Sequence, residues 1–302
     1  MLENIVQTDK LLPLGITKIM QLKELYSFGK ENLSRHSIET PGLEAYLLLS
    51  ESAVIDDLSE VYVNPDKEID LQKFNRFQEL LERRIKREPI AYILGGKEFY
   101  SKPYKVNPSV LIPRPETELL VDETLNLVQQ RTSPLILEIG TGSGCISVTI
   151  ASLCENVEIV ASDISREALA VAKQNITKHN QKDRISLLRG DLLDSFEEQS
   201  FDIIVSNPPY ITEAEFDGLE SEVKDFEPQI ALTAGQDGLY YIRKIISDST
   251  KILKDGGWCI LEIGHNQKES VQNIFRNCGF TKISSIKDLN GIERVIKAKW
   301  KK

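Results

Sequence analysis

The sequence predicts an α/β protein in which a small helical domain precedes a doubly wound parallel sheet. From Pro134 onward, short apolar runs alternate with helical stretches, as they do where crossover helices join parallel strands. Before residue 88 the apolar residues recur instead at three- and four-residue spacing, which is typical of amphipathic helices. This change of period predicts a helical domain over residues 1–87, a connecting segment over 88–115 and the sheet domain over 116–302.

Three helices are predicted in the helical domain. The clearest covers residues 71–85, where the apolar residues fall on one face: Leu71, Phe74, Phe77, Leu81 and Ile85. Two earlier helices are predicted over residues 17–33 and 43–58, with Thr40-Pro41-Gly42 between them. The pattern fits either a bundle that only stabilises its neighbour or a domain that docks a substrate.

Seven apolar runs predict the strands of the sheet domain: residues 135–139, 158–162, 185–188, 201–206, 257–263, 281–286 and 294–298. In the connecting segment, glycines and prolines lie among aromatic residues, which predicts a hairpin and turns rather than a flexible linker. Phe99 and Tyr104 in this segment fit either the rim of a site or the core, and aromatic residues in an alternating run are more often core.

Composition narrows the class of protein. The chain has 302 residues, of which 41% are hydrophobic and 27% charged, and this is ordinary for a globular protein. No apolar run approaches the roughly 18 residues that a membrane span needs, and the first residues lack a basic segment followed by an apolar one. A cytoplasmic protein without membrane association is therefore expected.

Net charge and cysteine spacing limit the kinds of partner and metal that are expected. The net charge of −9 argues against a partner held mainly through phosphates, so direct nucleic-acid binding is not expected. The four cysteines include no Cys-x-x-Cys pair and the three histidines are scattered. Neither a metal site nor a disulfide framework is expected, and reduced thiols are the better interpretation.

A glycine-rich loop follows the first strand of the predicted sheet. Gly140, Gly142 and Gly144 stand at alternate positions, which lets the backbone turn tightly and approach a ligand closely, and a helix begins just beyond them. Such a loop suits a nucleoside cofactor. Cys145 stands where the dinucleotide fingerprint needs a further glycine, and this weakens the case for NAD.

Two further strand ends carry carboxylates. Asp163 closes the second strand, where a carboxylate can accept bonds from both hydroxyls of a ribose. Its alternative role is an N-cap for the helix that starts near Ser165, and one residue could serve both. Gly190-Asp191-Leu192 closes the third strand and could bracket an adenine ring, but Gly-Asp at a strand end is often a plain turn.

The tetrapeptide Asn207-Pro208-Pro209-Tyr210 follows the fourth strand directly. The two prolines hold the backbone extended and leave carbonyl oxygens outward, Asn207 adds a side-chain amide, and Tyr210 adds a flat aromatic face. Together these groups can accept both hydrogens of a planar NH2 group and stack on its plane. Taken alone, the tetrapeptide fits a proline turn that merely ends a strand equally well.

These residues resemble the class I S-adenosylmethionine-dependent methyltransferases. The segment 138–144 is similar to their first cofactor motif, Asp163 to their second-strand acid, and Asn207 to Tyr210 to the amino-group motif of members that methylate NH2 nitrogens. Further segments are similar to the HemK/PrmC family of release factor glutamine methyltransferases: residues 88–95, 110–118, 227–228, 235–239, 261–264, 288–291 and 294–295. The resemblance covers residues 88–298.

The resemblance implies a seven-stranded Rossmann-like sheet and S-adenosyl-L-methionine as the cofactor, with S-adenosyl-L-homocysteine as the product. The implied reaction methylates the side-chain amide of the glutamine in the Gly-Gly-Gln motif of class 1 peptide chain release factors. The helical domain matches the family less closely than the rest of the chain. It is expected to dock the release factor. A monomer is expected.

The resemblance also implies the site residues. The expected cofactor-binding residues are Glu138, Gly140, Thr141, Gly142, Ser143, Gly144, Asp163, Asp191, Leu192 and Asn207. The expected catalytic residues are Asn207, Pro208 and Tyr210, and Pro209, Arg114 and Glu118 are expected to join them in binding the substrate. For Arg114 and Glu118 the alternative is that Pro113 and Pro115 simply shape a helix start.

Three other functions fit part of the pattern. A base methyltransferase would use the same NH2-binding loop, but it must extract its target base and grip phosphates, which the net charge disfavours. A dehydrogenase would share the sheet and glycine loop but has no use for the segment 207–210. A catalytically silent binding protein would not need all three motifs intact.

Overall fold

The computed structural model describes residues 20–193 and 196–302. These residues form two compact units, of which the first ends at Leu94 and the second begins at Gly95. Among the described helices, none is both long enough and apolar enough to cross a membrane.

The N-terminal unit consists of helices and one short pair of strands: β1 (Met20–Gln21), α1 (Leu22–Arg35), α2 (Pro41–Glu51), α3 (Glu60–Val63), β2 (Glu68–Ile69), α4 (Leu71–Ile85) and α5 (Ile90–Ile93). The strands β1 and β2 pair antiparallel. Buried leucines of α1, α2 and α4 pack around the fully buried Phe77 to form the core of this unit. A buried ion pair between Arg84 and Glu44, with Nε and Oε2 2.5 Å apart, joins α4 to α2.

Two of the three predicted helices have different ends in the structure. The helix predicted over residues 71–85 is confirmed as α4. The first helix begins at Leu22 because Met20 and Gln21 pair with β2, while residues 17–19 lie outside the described residues. The second helix ends at Glu51, not at residue 58. Ala53 there takes a left-handed φ of 56° and the N–H of Val54 donates to the Leu49 carbonyl, a hydrogen-bonded stop that the apolar spacing did not reveal.

The C-terminal unit contains a hairpin followed by alternating helices and strands. Its elements are β3 (Gly96–Phe99), β4 (Lys102–Lys105), α6 (Glu118–Val128), β5 (Leu135–Ile139), α7 (Cys145–Leu153), β6 (Glu158–Asp163), α8 (Arg166–Lys178), β7 (Ile185–Arg189), β8 (Phe201–Ser206), α9 (Glu213–Phe216), α10 (Ser221–Lys224), α11 (Tyr240–Ile252), β9 (Leu253–Glu262), α12 (Lys268–Asn277), β10 (Thr281–Lys287) and β11 (Glu293–Lys299). Strands β3 and β4 form the hairpin.

The main sheet has seven strands in the order β10-β11-β9-β8-β5-β6-β7. Strands β5 to β9 are mutually parallel, as predicted, but β11 runs antiparallel to both of its neighbours. At this edge the sheet departs from the parallel arrangement that the alternation of strands and helices indicates. Five residues join β10 to β11, and that is too few for the crossover that a parallel pair requires.

Helices cover both faces of the sheet. Ile136, Ile203 and Val205 point toward one core cluster with residues of α6 and α7, and alternate strand residues such as Leu137 and Ile204 point toward the other with α11 and α12. Phe99 and Tyr104 are buried in the first cluster, which confirms them as core residues. With both faces covered, the carboxyl edge of the parallel strands is the free surface where a ligand can bind.

Candidate active site

A cavity of about 250 Å³ opens at the carboxyl edge of the sheet. Its walls come from the ends of β5, β6, β7 and β8, from the segment before α6, and from the first turns of α11. Most of the predicted site residues line it: Arg114, Gly140, Thr141, Gly142, Ser143, Asp163, Asp191, Leu192, Asn207, Pro208 and Pro209. Glu118, Glu138, Gly144 and Tyr210 are not among the lining residues.

The glycine loop after β5 needs glycine for its backbone shape. Gly140, Gly142 and Gly144 have φ of 70°, 53° and 78°, in the left-handed region that other residues rarely adopt. A Cβ on Gly140 or Gly142 would meet no atom within 4 Å, so both residues border open space where they line the cavity. Gly144 serves packing instead, since a Cβ there would lie 3.3 Å from the Ala172 Cβ.

Backbone donors of the glycine loop are largely occupied within the protein. The Thr141 N–H donates to the Ser162 carbonyl at 2.9 Å, the Gly142 N–H to Asp163 Oδ2 at 2.9 Å, and the Gly144 N–H to the Thr141 carbonyl at 2.7 Å. A pyrophosphate would need such donors free and would be repelled by the carboxylate beside them. The loop therefore fits a nucleoside without phosphate better than a dinucleotide.

Asp163 shapes the turn that it closes. Its Oδ1 accepts from the Ser165 N–H at 2.9 Å, and burial raises the pKa of the carboxyl group above its usual value. The predicted alternative role as a helix cap belongs to Ser165, whose Oγ accepts from the Ala168 N–H. Each Asp163 oxygen accepts from a backbone N–H, and a carboxylate oxygen has lone pairs enough to accept from a ligand hydroxyl as well.

Glu138 lies beneath the glycine loop and is fully buried. Its Oε2 accepts from Thr141 Oγ1 at 2.8 Å and from the backbone and hydroxyl of Ser147. Its Oε1 is buried, and no described residue bonds to it. Burial raises the pKa of Glu138 to about 7. This carboxyl group therefore braces the loop and the start of α7 from below.

The acceptor loop after β8 carries two oxygens without protein donors. Asn207 and Pro208 line the cavity, and among the described residues no group donates to the Asn207 side-chain oxygen or the Pro208 carbonyl. The Asn207 amide nitrogen donates to Thr117 Oγ1 at 3.1 Å, and Thr117 Oγ1 bonds Glu262 Oε2 at 2.7 Å. Two such oxygens can accept both N–H bonds of a planar amide.

Tyr210 is held from several sides. Its carbonyl accepts from Gln267 Nε2 at 3.0 Å, and its ring leaves no room for a side chain at Gly264, where a Cβ would lie 2.9 Å from Tyr210 Cδ2. Burial, together with the charges of Glu262 and Glu116, raises the pKa of the phenol. Tyr210 is thus a neutral, fixed side chain next to the loop.

The two predicted substrate residues near the start of α6, Arg114 and Glu118, have different surroundings. Arg114 lines the cavity and donates through Nη2 to Glu227 Oε1 at 2.5 Å, while Glu227 Oε2 also accepts from the Ile112 N–H. Glu118 Oε1 accepts instead from the Tyr100 N–H at 2.7 Å. Glu118 therefore contacts the hairpin and not the cavity.

Sequence reasoning gave no role to several residues of the site. Thr117 and Glu262 lie within segments that resembled the family, yet only the fold brings them to Asn207. The cavity wall also includes Ile230, Tyr240, Tyr241 and Lys244, for which the sequence offered no spacing signal. A polar residue at the end of a predicted parallel strand, such as Glu262, was the one available hint.

No group of three or more potential metal ligands occurs within residues 20–193 and 196–302. All four cysteines are unpaired, and Cys145 and Cys259 are buried.

The strand order with its antiparallel β11 and the cavity beside a glycine loop define a class I S-adenosylmethionine-dependent methyltransferase. The cavity fits the cofactor of this class. Its wall has open space beside two glycines, the carboxylates of Asp163 and Asp191, and an apolar part that includes Ile146 and Leu192.

Family models and relatives identify the family. Residues 24–95 match the PrmC N-terminal domain, and residues 116–221 match the methyltransferase small domain. The chain is 37% identical to the release factor glutamine methyltransferase of Geobacter sulfurreducens, over 92% of this chain and 96% of that protein. It is 40% identical to that of Clostridium botulinum, over 93% and 99%. The chain belongs to the release factor glutamine methyltransferase family, which confirms the resemblance found in the sequence.

Other comparisons agree in fold. A bifunctional methyltransferase of Rickettsia conorii is 38% identical over 91% of this chain, which spans 57% of that longer protein. The hMettl16 catalytic domain in complex with a 3'UTR hairpin superposes with a TM-score of 0.54 at 20% identity, covering 66% of this chain and 74% of that one. A methyltransferase from Pyrococcus furiosus gives 0.51 at 20% identity, covering 76% and 99%.

Proposed function

We propose that this chain transfers a methyl group from S-adenosyl-L-methionine to the side-chain amide nitrogen of the glutamine in the Gly-Gly-Gln motif of class 1 peptide chain release factors. The product is N5-methylglutamine, and the modification modulates translation termination. The observation that carries the proposal is the pair of oxygens on Asn207 and Pro208, which border the cavity without protein donors.

The proposed cofactor site is the glycine loop with the carboxylates at the ends of β6 and β7. Its residues are Gly140, Thr141, Gly142, Ser143, Asp163, Asp191 and Leu192, while Glu138 and Gly144 hold the loop in shape and Asn207 borders the same cavity. When bound, S-adenosylmethionine supplies an electrophilic methyl group on a positively charged sulfur and leaves as S-adenosylhomocysteine. The carboxylates match the ribose hydroxyls and that positive charge.

The acceptor side must activate a weak nucleophile. The lone pair of a carboxamide nitrogen is delocalised into its carbonyl, so acceptors on both N–H bonds are needed to raise electron density on nitrogen. Asn207 Oδ1 and the Pro208 carbonyl are the proposed acceptors, and Tyr210 is proposed to stack on the amide plane. Holding the nitrogen in line can contribute up to roughly 7–11 kcal/mol without a charged base.

The same pair of oxygens explains selectivity and proton loss. An acceptor group without two N–H donors would leave an oxygen unpaired, at a cost of about 1–3 kcal/mol each. After transfer the methylated nitrogen is acidic, and its proton can pass along these oxygens to water. Arg114, fixed by Glu227, and Pro209 are proposed to border the substrate strand.

The proposed partner is a class 1 release factor, docked by the N-terminal unit, which matches the PrmC N-terminal domain. The proposed form is a cytoplasmic monomer that does not bind nucleic acid directly. The net charge of −9 supports a protein partner over a phosphate-rich one.

The test incubates the purified chain with S-adenosylmethionine and either a class 1 release factor or total RNA, and then locates the methyl group by mass spectrometry. One added methyl on the Gly-Gly-Gln glutamine is expected. A release factor with glutamate at that position serves as the control and should stay unmodified. Methyl on RNA and none on protein would overturn the proposal in favour of a base methyltransferase.

A further inference from the structure

We propose that Thr117 and Glu262 are positioning residues that fix which end of the Asn207 side-chain amide faces the substrate. The inference rests on the proposed function, because it concerns how Asn207 comes to present an oxygen to an incoming amide. It assigns roles to a hydroxyl and a buried carboxylate that act through Asn207 in the reaction proposed above.

The direction of each hydrogen bond in this chain of groups follows from what each group can donate. A Glu262 carboxylate can only accept, so the Thr117 hydroxyl must donate its single hydrogen to Oε2, 2.7 Å away. Thr117 Oγ1 is then left with lone pairs alone. The Asn207 group that lies 3.1 Å from Thr117 Oγ1 must therefore be the NH2 end.

The consequence for the site is an Asn207 oxygen directed away from Thr117 and toward the acceptor. A reversed amide would present NH2 to the substrate, where two donors would face each other and one N–H of the glutamine would lose its partner. Oxygen and nitrogen of an amide have nearly the same size, so shape alone does not select between the two orientations. The selection must come from the hydrogen-bond chain.

The fold places Glu262 for this role. Strand β9 pairs with β8 so that Leu261 is opposite Ser206, and the next residues along the two strands are Glu262 and Asn207. Glu262 is only 1% exposed, and its buried Oε1 has no hydrogen-bond partner among the residues that the structure describes. A carboxylate kept in such a place without full pairing is costly for stability, which is expected where function requires it.

Thr117 reaches the same point from a distant segment. It is the last residue of the 3-10 turn Pro115–Thr117 and is 90 residues from Asn207 in the chain. Arg114, the N-cap residue of this turn, is held by Glu227. Thr117 itself borders the cavity, which brings its hydroxyl to the level of the acceptor loop.

The experiment compares Thr117→Val with Thr117→Ser at pH 8, above the value of about 7 to which burial raises the pKa of Glu262. Valine keeps the shape and removes the hydroxyl, whereas serine keeps the hydroxyl and removes the methyl group. Methylation of a class 1 release factor should lose at least about tenfold in kcat in Thr117→Val and less than about threefold in Thr117→Ser. The dissociation constant for S-adenosylmethionine, measured by calorimetry, should stay within about twofold in both.

A second variant covers the case in which Thr117→Val does not fold, as a melting curve would show. Gln at position 262 offers both a donor and an acceptor, so Glu262→Gln removes the fixed direction of the chain and should lower kcat about three- to tenfold at unchanged cofactor affinity. A purely structural role would lower cofactor affinity or melting temperature along with kcat.

The inference is overturned if a folded Thr117→Val has the wild-type kcat, or if Thr117→Ser has a kcat as low as that of Thr117→Val. Where Thr117→Val does not fold, a kcat of Glu262→Gln within about twofold of wild type overturns it. Failure of the proposed function itself is seen separately, since the wild-type chain would then leave the release factor unmodified.

Discussion

Two buried glutamates occupy matching places near the carboxyl ends of parallel strands, on the two strands that flank β8. Glu138 stands near the end of β5 under the glycine loop, and Glu262 ends β9 beside the acceptor loop. Each has one oxygen bonded to a threonine hydroxyl and one buried oxygen with no partner within the described part of the chain. Burial raises the pKa of each to about 7.

The two differ in where their partners come from. Thr141 and Ser147 are 3 and 9 residues from Glu138 in the chain, whereas Thr117 is 145 residues from Glu262. The glycine loop and the Glu138 that braces it therefore belong to one continuous segment, whereas the hydrogen bonds of the acceptor side join segments far apart in the chain. A substitution that disturbs the tertiary fold should therefore lower the rate of methyl transfer more than it lowers cofactor affinity.

The largest expected effect tests this separation directly. Asn207→Ala removes one proposed acceptor of the substrate amide and should lower kcat by at least about 100-fold. Cofactor affinity should change less than about twofold, because the loop after β5 keeps its own hydrogen bonds. Calorimetry with S-adenosylmethionine and a methylation assay measure the two quantities, and equal losses would contradict the division of the site.

The next effect concerns the support of Tyr210. Gly238 has φ of 69°, and a Cβ there would lie 2.4 Å from the Tyr210 carbonyl oxygen. Gly238→Ala should lower the free energy of unfolding by about 2–3 kcal/mol and displace the acceptor loop. Gly291, with φ of 79° and no atom within 4 Å of a built Cβ, is the matched control.

Gly291→Ala adds only backbone strain, about 1–2 kcal/mol, and should leave methyl transfer at the wild-type rate. Urea unfolding and the methylation assay compare the two variants. If both variants lost stability and activity equally, the room that Gly238 leaves for the Tyr210 carbonyl would not be the reason that glycine is needed there.

The same contrast explains what the sequence could predict. The glycine loop, Asp163 and the strands that precede them are encoded by local spacing, so their places in the fold could be predicted. The bonds from Asn207 to Thr117 and from Thr117 to Glu262 depend on strand register and on a turn 90 residues away, which no local pattern contains. The stop of α2 at Glu51 was missed for a related reason, since a left-handed alanine carries no signal of its own.

On the cofactor side, Asp163 is expected to contribute affinity without contributing to the rate. Asp163→Ala should raise the dissociation constant for S-adenosylmethionine about tenfold, because it removes the proposed acceptor of the ribose hydroxyls. At saturating cofactor, kcat should remain within about twofold of wild type. Asp163→Asn keeps one acceptor oxygen, so its dissociation constant for S-adenosylmethionine should lie between those of the wild type and Asp163→Ala. An unchanged dissociation constant in Asp163→Ala would place the ribose elsewhere.

The last effect is a pH dependence of stability. The pKa of Glu138 is 4.5 when the carboxyl group is unperturbed and about 7 in the folded protein, so the folded state binds its proton more tightly. The stability gained in this way is complete below pH 4.5 and is lost as the pH rises through 7. One such group contributes a slope of at most about 1.4 kcal/mol per pH unit.

Glu138→Gln should remove one of these slopes and Glu262→Gln the other, as measured by urea unfolding at a series of pH values between 4.5 and 7. The two losses should add, because different charges act on the two sites: Asp163 on Glu138, and Glu116 and Arg294 on Glu262. Slopes that do not add would mean that the two carboxyl groups sense one another through the cavity. The cofactor side with Glu138 and the acceptor side with Glu262 would then titrate as one coupled electrostatic unit.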